Sequence, residues 1–336
     1  MGAAITGWGC AVPEKRLTNA ELADDVDDLT EEWIVARTGI KERRIAARED
    51  SSSSLAVDAA RSALAVAEVD PADLDMIIVA TITPDFQFPA TASVVQTALG
   101  SRAGAFDLGA GCAGFLFALA QGAALVDSGA SRRVLVCGSD VLSRFMDYSD
   151  PKTSVLFGDG AGAVVLEARP GPSRIGPFKL YSDGARPELL WIPPGDRFLR
   201  MKGREVYRYA VDGMARAVRT VLDEAGMTAA EAGVLIAHQA NARILDAVAS
   251  RLDWPKERIV SNIDRYGNTS SASIPIAICE TVERGMLVDG DPVVMTAFGA
   301  GFAWGAGLVA WGAGAGPETA GVGEREESLL AGDVRG

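Results

Sequence analysis

Five short, almost continuously apolar segments alternate with helix-like stretches along this chain, and that alternation constrains its fold more than any other feature. The predicted strands are Met76–Ala80, Val134–Cys137, Ala163–Leu166, Val234–Ala237 and Val293–Met295. A strand that is apolar on both faces is typical of a sheet covered by helices on both sides. Strands that alternate with helices predict an α/β fold.

The first and fourth of these strands are preceded by similar segments. Residues 69–75 (VDPADLD) and residues 227–233 (MTAAEAG) begin 158 residues apart. In the first segment an Asp-Pro pair fits a helix cap with proline at the first helical position. In the second, Thr228 and Glu231 fit a capping box. The similarity suggests that one structural unit occurs twice.

A second match supports a duplicated fold. At an offset of 156 residues, a helix predicted to end at Gly129 corresponds to one that ends at Gly285, and Cys112 corresponds to Asn268. Two unrelated units are the alternative interpretation, because strand–helix links look alike. Two matches at nearly the same offset favour duplication.

Charge and hydropathy exclude several classes of protein. The 336 residues carry a formal charge of −13, whereas nucleic-acid binding needs a dominant basic face, so we expect no nucleic-acid partner. The N-terminus lacks a signal-peptide pattern, and the longest apolar run is shorter than the roughly 20 residues of a membrane span. We therefore expect a soluble, cytoplasmic protein with no membrane partner. The Gly-, Ala- and Glu-rich residues 313–336 are predicted to form a flexible tail.

Cysteine and histidine are scarce, which limits the chemistry available to the chain. The single histidine excludes a multi-histidine zinc site, and no metal is expected. Cys10, Cys137 and Cys279 are interpreted as packing residues. Cys112 differs, because small residues flank it and the apolar stretch that follows predicts a buried helix. A helix N-terminus favours the thiolate, so Cys112 is the candidate nucleophile.

Three further segments carry weaker signals. His238 follows a predicted strand at the end where α/β sheets gather ligands, although a core or capping histidine is an equal interpretation. Asn268 lies in a turn-forming Gly-Asn-Thr-Ser segment, and a plain turn is the simpler interpretation. Glycines around Ala300 fit either a turn or an oxyanion hole. Residues 158–162 are similar to a dinucleotide-binding loop but precede a strand, so that interpretation is rejected.

Together these segments resemble the 3-oxoacyl-[acyl-carrier-protein] synthase III (ketoacyl synthase III) family of the thiolase superfamily. The matching motifs are EWI and RTGI within residues 32–40, CAGF at 112–115, FGDGAG at 157–162, HQAN at 238–241, GNTS at 267–270 and FGAGF at 298–302. The resemblance implies a thiolase-like, five-layered αβαβα fold built from two similar halves. The first half, residues 1–170, would carry the cysteine, and the second, residues 171–312, the histidine and asparagine. It also implies a homodimer.

The activity implied by the resemblance is a decarboxylative Claisen condensation. An acyl thioester, from acyl-CoA or acyl carrier protein, would react with malonyl-acyl carrier protein and initiate fatty-acid or polyketide chains without a further cofactor. By motif match, Cys112 is the acylated nucleophile, while His238 and Asn268 bind the malonyl carbonyl. The backbone N–H groups of Cys112 and Ala300 would form the oxyanion hole.

The resemblance also implies substrate-binding positions. Trp33 and Arg37 match positions at the nucleotide end of coenzyme A. The acyl-pocket matches are Phe88, Leu142, Phe157, Leu189, Leu199 and Phe298, and the carrier-protein docking matches are Arg208, Arg243 and Arg251. Basic residues concentrated between 197 and 208 fit an acidic partner. This chain has Asp150-Pro151-Lys152 where the family often has an adenine-stacking arginine, which leaves the acyl donor open between acyl-CoA and acyl carrier protein.

Three alternative functions remain. The first is a ketosynthase that primes a polyketide pathway on the same fold, and the second an acyltransferase to a hydroxyl or amine without decarboxylation. The third is a catalytically silent scaffold subunit. Asn268 favours condensation, because transfer without decarboxylation needs a base more than a carbonyl clamp. The complete set of Cys112, His238 and Asn268 argues against the scaffold.

Overall fold

A computed structural model describes residues 1–24 and 29–313 of the chain, so nearly all of the predicted tail lies outside the described residues. The strands are β1 (Gly2–Ala11), β2 (Arg16–Thr18), β3 (Glu42–Arg44), β4 (Met76–Ala80), β5 (Gly104–Leu108), β6 (Arg133–Val141), β7 (Asp159–Arg169), β8 (Ile175–Ser182), β9 (Leu190–Trp191), β10 (Arg200–Met201), β11 (Val234–Ala237), β12 (Pro292–Gly299) and β13 (Ala303–Ala310). The α-helices are α1 (Asn19–Asp24), α2 (Glu31–Thr38), α3 (Ser52–Ala67), α4 (Thr91–Leu99), α5 (Gly114–Asp127), α6 (Gly203–Ala225), α7 (Ala242–Leu252), α8 (Ile263–Tyr266) and α9 (Ser273–Glu283).

All five predicted strands are confirmed, as β4, β6, β7, β11 and β12. They belong to two sheets, with strand orders β1-β7-β6-β4-β5 and β8-β13-β12-β11, in which β4, β6, β7 and β12 are interior strands and β11 is an edge strand. Within the first sheet β4 runs parallel to β5 and β6, whereas β7 is antiparallel to β6 and β1. Strands in these positions are covered on both faces, which explains why their sequences are apolar throughout.

Alternating side chains on each sheet show how the layers stack. On β6, Val134 and Val136 belong to the apolar core that includes α5, whereas Leu135 and Cys137 belong to the core that includes α3. On β12, Val293 and Met295 share the core of α5, whereas Val294 packs in the core of α6. Helices α5 and α9 therefore lie between the two sheets, and α3 and α6 cover the outer faces. The predicted five-layered αβαβα fold is confirmed.

The two halves repeat one topology. In the first, β1 is followed by α3, β4, α5, β6 and β7; in the second, β8 is followed by α6, β11, α9, β12 and β13. The corresponding strands have the same order in their sheets, apart from the additional edge strand β5. The duplication predicted from two short sequence matches is confirmed.

The residue correspondence between Cys112 and Asn268 is wrong. A 3-10 turn, Gly111–Ala113, leads into α5, and an equivalent turn, Ser270–Ala272, leads into α9. The middle residue of the second turn is Ser271, which is therefore the counterpart of Cys112. The offset of 156 holds only at the helix ends, because α5 has 14 residues and α9 has 11.

The two predicted caps also differ from each other. Asp70 caps a one-turn 3-10 helix, and its carboxylate accepts a hydrogen bond from the Ala72 amide at 2.8 Å. Glu231 accepts hydrogen bonds from the amide and hydroxyl of Thr228 at 2.8 and 2.7 Å, as a capping box requires. This second segment is a turn with no helix after it, so the box stabilises the entry to β11 instead.

Among the helices within residues 1–24 and 29–313, none is both long enough and apolar enough to cross a bilayer.

Candidate active site

The nucleophile candidate lies in the turn that opens the central helix. Gly111 has φ +55°, and a Cβ on it would approach the backbone nitrogen of Ala300 to 2.7 Å. A Cβ on Gly299 would lie 2.4 Å from the amide nitrogen of Cys112. Glycine at both positions thus allows the backbone at the end of β12 to lie against the Cys112 turn. This places the Cys112 and Ala300 amides close together, as an oxyanion hole requires.

One cavity is lined by all four residues that are predicted to take part in catalysis. It has a volume of about 730 Å³, and its lining includes Cys112, His238, Asn268 and Ala300. The three side chains are nearly inaccessible to bulk solvent, with exposures of 7% for Cys112, 1% for His238 and 6% for Asn268. They come from both halves of the chain, so the site forms only where the halves meet.

Burial dominates the electrostatics of Cys112. It raises the pKa of the thiol to about 12, while the Ser270 hydroxyl acts in the opposite direction. Burial thus acts against the thiolate that the helix start was expected to favour. Burial therefore favours the protonated thiol of Cys112 in the free protein.

Alkylation should report this protonation state. Because the thiolate fraction rises about tenfold per pH unit below the pKa, the rate of Cys112 alkylation by iodoacetamide should keep rising from pH 7 to pH 10. The rate is best measured in a Cys10→Ala background, since a hydrogen bond from the Cys279 thiol lowers the pKa of Cys10 and makes it a competing target. A plateau near neutral pH would mean that the helix start outweighs burial.

His238 directly follows β11, as the sequence indicated. Its backbone N–H donates to the Thr296 carbonyl at 2.8 Å, and its Nδ1 lies 2.7 Å from the hydroxyl of Ser273. Burial lowers the pKa of the imidazole to about 3, so His238 is neutral across the physiological range. A neutral imidazole carries one N–H and can donate one hydrogen bond to a substrate carbonyl.

The Asn268 side chain has one oriented amide group. The Ser270 backbone N–H lies 2.9 Å from Oδ1 of Asn268, and because a backbone N–H can only donate, that atom must be the oxygen. The Nδ2 group has no hydrogen-bond partner among the described residues. Asn268 therefore presents two N–H donors at the cavity. The hydrogen bond to Oδ1 is that of an Asx turn, so the plain-turn interpretation accounts for the oxygen and leaves the Nδ2 donors unexplained.

Ser270 is a candidate functional residue that the sequence analysis missed. It has φ +52°, which is uncommon for a residue other than glycine. Its buried Oγ has no hydrogen-bond partner among the described residues, but the Ser270 hydroxyl lowers the pKa of the Cys112 thiol and so opposes the effect of burial. No feature of the Gly-Asn-Thr-Ser segment distinguishes this serine from an ordinary turn residue.

A buried carboxylate anchors the turn that contains Ser270. Asp140, at the end of β6, accepts hydrogen bonds from the amide and hydroxyl of Ser271 at 3.1 and 2.6 Å. Its other oxygen accepts from the Thr81 hydroxyl, the Ile82 amide and the Thr83 hydroxyl at 3.1, 2.8 and 3.0 Å. Hydrogen bonds from five donor groups to this one carboxylate hold the turn Ser270–Ala272 against the first sheet.

Comparison with known proteins agrees with this geometry. Residues 106–184 match the model of 3-oxoacyl-[acyl-carrier-protein (ACP)] synthase III, and residues 222–311 match that of its C-terminal part. A β-ketoacyl-[acyl-carrier-protein] synthase III of Erythrobacter litoralis is 48% identical over 317 residues, covering 91% of this chain and 98% of the relative. The chain belongs to the synthase III family. It is therefore an acyl-transferring condensing enzyme.

Solved structures support the same assignment for this synthase III. The 3-oxoacyl-[acyl-carrier-protein] synthase III from Aquifex aeolicus is 45% identical with a TM-score of 0.90, covering 92% of this chain and 100% of that one. The priming β-ketosynthase of the R1128 polyketide pathway is 37% identical with a TM-score of 0.88, covering 93% and 97%. A synthase III and a priming β-ketosynthase of a polyketide pathway thus both share this fold.

The cavity of this synthase III includes most of the predicted substrate positions. Six of them line it, namely Trp33, Arg37, Leu142, Phe157, Leu199 and Phe298. The Arg37 guanidinium lies 4.5 Å from the centre of the Trp33 ring. Two others do not line it: Leu189 is buried in the neighbouring core, and Phe88 is 82% exposed.

The predicted docking arginines occupy different settings in this synthase III. All three are exposed, but only Arg243 also lines the cavity. Arg251 forms an ion pair with Asp212 at 3.0 Å. In the basic segment, Arg200 is paired with Asp147 and Asp196, both at 3.2 Å, which weakens the positive cluster there. Lys152 and Arg204 add positive charge to the cavity lining.

Within the described ranges, no group of three His, Cys, Asp or Glu residues is placed to hold a metal ion.

Proposed function

We propose that this synthase III condenses an acyl thioester with malonyl-acyl carrier protein through an acyl-Cys112 intermediate, and so initiates a fatty-acid or polyketide chain. The observation that carries the proposal is the shared cavity, in which one thiol faces an imidazole and an amide that are both neutral hydrogen-bond donors. Donors of this kind stabilise an enolate oxygen, whereas a base would be needed for transfer to a hydroxyl.

In the first step, the Cys112 sulfur attacks the acyl carbonyl and the bond to the departing thiol breaks. The tetrahedral oxygen is held by the Cys112 and Ala300 amides, and each such donor typically contributes roughly 3 kcal/mol. The thiol proton of Cys112 ends on the departing thiol, so this exchange needs no net acid or base.

In the second step, the malonyl thioester loses CO₂ and leaves an enolate. Asn268 and His238 donate hydrogen bonds to the enolate oxygen, and its carbon attacks the acyl-Cys112 carbonyl. The new C–C bond forms as the C–S bond breaks, and the Cys112 sulfur takes up a proton. The products are the 3-oxoacyl thioester, CO₂ and the free enzyme.

Incubation with a panel of acyl-CoAs and acyl-carrier-protein thioesters tests the proposal. We expect the intact mass to rise by one acyl group, followed by formation of a 3-oxoacyl product when malonyl-acyl carrier protein is added. An acyl adduct that malonyl-acyl carrier protein does not consume would favour acyl transfer without decarboxylation. No adduct with any donor would contradict the enzyme assignment for this site.

Priming of a polyketide pathway is the second candidate function. The similarity to the R1128 priming enzyme favours it, while the higher identity to the Erythrobacter litoralis enzyme favours fatty-acid initiation. The chemistry is the same in both cases. The acyl donors accepted in the panel distinguish the two, since each pathway needs its own starter group.

The apolar and polar ends of the cavity fit a long thioester. Leu142, Phe157, Leu199 and Phe298 offer an apolar wall for an acyl group. The stacked Trp33 and Arg37 lie on the same cavity and fit the polar end of a coenzyme A or pantetheine arm. The choice between acyl-CoA and acyl carrier protein as donor is part of the panel test.

Arg208 is the sharpest probe of carrier-protein docking, because it is exposed and does not line the cavity. Arg208→Glu should slow reaction with the acidic carrier protein at least about tenfold at low salt, with less effect on small thioesters. Raising the salt concentration should reduce the difference. Steady-state rates with both substrate types measure it.

Two variants provide comparisons for Arg208→Glu. Arg61→Glu makes the same charge change on α3, on the opposite outer layer, and should leave both rates unchanged. Arg243→Glu should slow both substrate types, since Arg243 also lines the cavity. Equal losses with both substrates for Arg208→Glu would rule out a docking role.

We also propose that the protein is a homodimer joined along β5. This strand is at the edge of its sheet, and Phe106 on it is exposed, as are Phe86 and Phe88 nearby. A second copy can pair with an edge strand around a two-fold axis and continue the sheet. Ile82, in the same loop as Phe88, lines the cavity, so this loop runs from the site to the exposed surface. In the proposed dimer, Phe88 would contact the second copy and could contribute to its pocket.

Sedimentation of the wild-type protein and a Phe106→Glu variant tests the dimer. We expect a dimer for the wild type and a monomer for Phe106→Glu, and a monomeric wild type would contradict the proposal.

Cytoplasmic localisation stays a prediction.

A further inference from the structure

The second nitrogen of the catalytic imidazole is held by a buried serine. Ser273 is the first residue of α9, and its Oγ lies 2.7 Å from Nδ1 of His238. Both side chains are buried. The Gln239 backbone N–H lies 3.4 Å from the same Oγ. Among the described residues, these two groups are the hydrogen-bond neighbours of the Ser273 hydroxyl.

The direction of the hydrogen bond between His238 and Ser273 follows from these neighbours. A backbone N–H can only donate, so the Gln239 amide uses a lone pair of Oγ. If Nδ1 of His238 were also protonated, it would use the other lone pair, and the hydroxyl proton would be buried with no acceptor within the described residues. Such an unsatisfied donor is unfavourable, because it loses its hydrogen bonds to water and gains none in the protein. The arrangement that satisfies every group has the Ser273 hydroxyl donating to an unprotonated Nδ1.

We propose that Ser273 is a positioning residue that keeps the single imidazole proton of His238 on Nε2. This inference rests on the proposed function, in which His238 donates a hydrogen bond to the malonyl carbonyl. Nε2 has no partner among the described residues, and His238 lines the cavity, so Nε2 is the nitrogen available to substrate. With the proton on Nδ1, the substrate carbonyl would meet a lone pair and lose that donor.

The position of Ser273 explains why it can hold the ring in place. Its helix is fixed between the sheets, since a Cβ on Gly162 of β7 would lie 2.7 Å from Pro275. The preceding turn is anchored through Ser271 to Asp140 at 2.6 Å. The hydroxyl is therefore presented by a rigid element, and His238 follows the end of a strand in the neighbouring sheet.

This arrangement separates the roles of the two catalytic side chains. With its proton on Nε2 and its Nδ1 occupied, His238 is a donor and cannot accept the Cys112 proton. Acylation should then be nearly independent of His238, and decarboxylation should depend on it. A histidine that acted as the base for Cys112 would show the reverse dependence.

Nitrogen NMR of the imidazole tests the proposal directly, because the chain contains one histidine. With ¹⁵N-histidine labelling, protonated and unprotonated ring nitrogens have widely separated resonances. For the full-length wild type we expect a protonated Nε2 and an unprotonated, hydrogen-bonded Nδ1 at neutral pH. In Ser273→Ala the Nδ1 resonance should move, either toward an unbonded nitrogen or toward an average of the two forms. A wild-type proton on Nδ1, or an unchanged spectrum in Ser273→Ala, would overturn the proposal.

Activity measurements on the same samples add a second readout. Ser273→Ala should lower CO₂ release from malonyl-acyl carrier protein by about tenfold to a hundredfold, less than the loss of a donor itself, and leave Cys112 acylation within about twofold. Ser139→Ala is the matched control, since it removes another buried serine hydroxyl whose partner is the Ser52 carbonyl at 2.7 Å. It should change neither the spectrum nor the rates. The NMR result stands even if neither partial reaction occurs, so failure of the proposed function is distinguishable from failure of this inference.

Discussion

Cys112→Ala is expected to gain no acyl group and to lose condensation by at least about ten-thousand-fold, the scale seen when a covalent nucleophile is removed. Within residues 1–24 and 29–313, Cys112 is the only cysteine that lines the cavity of about 730 Å³. Intact mass after incubation with an acyl donor should show one adduct in the wild type and none in the variant. The folded state should be retained, because alanine fills most of the same space.

Cys10→Ala is the matched control for this experiment. Cys10 is half-buried on β1, and a hydrogen bond from the Cys279 thiol lowers its pKa, so it is the next most reactive thiol expected. Its replacement should leave the acyl adduct and the condensation rate unchanged. An acyl adduct that persists in Cys112→Ala and disappears in Cys10→Ala would identify Cys10 as the nucleophile instead of Cys112.

Asn268→Ala should still accept an acyl group on Cys112 but release CO₂ from malonyl-acyl carrier protein about a hundredfold to a thousandfold more slowly. Asn268 is uncharged and cannot act as a base at neutral pH, so its contribution lies in the donors on Nδ2. Those donors are unpaired among the described residues, while Oδ1 is held by the Ser270 amide at 2.9 Å. Stopped-flow acylation and labelled CO₂ release can be followed on one sample.

Asn268→Asp is the informative partner of the alanine variant. It has nearly the same shape and keeps an oxygen acceptor for the Ser270 amide, but it replaces the two N–H donors with a second acceptor. Decarboxylation should fall in both variants, whereas the local fold should be better preserved in Asn268→Asp. If acylation falls as steeply as decarboxylation in both, Asn268 is chiefly structural, as its turn-forming sequence alone would suggest.

The apolar patterns predicted the interior of the fold well, because strands buried on both faces have little freedom in composition. Strands such as Met76–Ala80 and Val234–Ala237 end at the predicted residues. The alignment of the two halves was less accurate near the site. The three-residue difference between α5 and α9 was invisible in short matches, so Cys112 was paired with Asn268 instead of Ser271.

The candidate site was only partly predictable, because several of its contacts join residues that are far apart in the sequence. Cys112 has local signals, namely small neighbours and a following apolar helix. The anchoring of Ser271 by Asp140 joins residues 131 positions apart, and no periodicity links them. The contact between His238 and Ser273 spans 35 positions. Polar contacts across such distances depend on the packed sheets, so single-sequence patterns do not contain them.

The division of the site between the two halves has a consequence for inactivation. Cys112 belongs to the first half, whereas His238, Asn268 and Ala300 belong to the second. A small shift of one sheet relative to the other would separate the thiol from its donors while the outer cores beneath α3 and α6 remain packed. The enzyme should therefore lose its catalytic activity at a lower denaturant concentration than the one at which the circular-dichroism signal of the helices decreases. The contact between the two halves would then limit the conditions under which the enzyme is active, although the catalytic side chains there are nearly inaccessible to solvent.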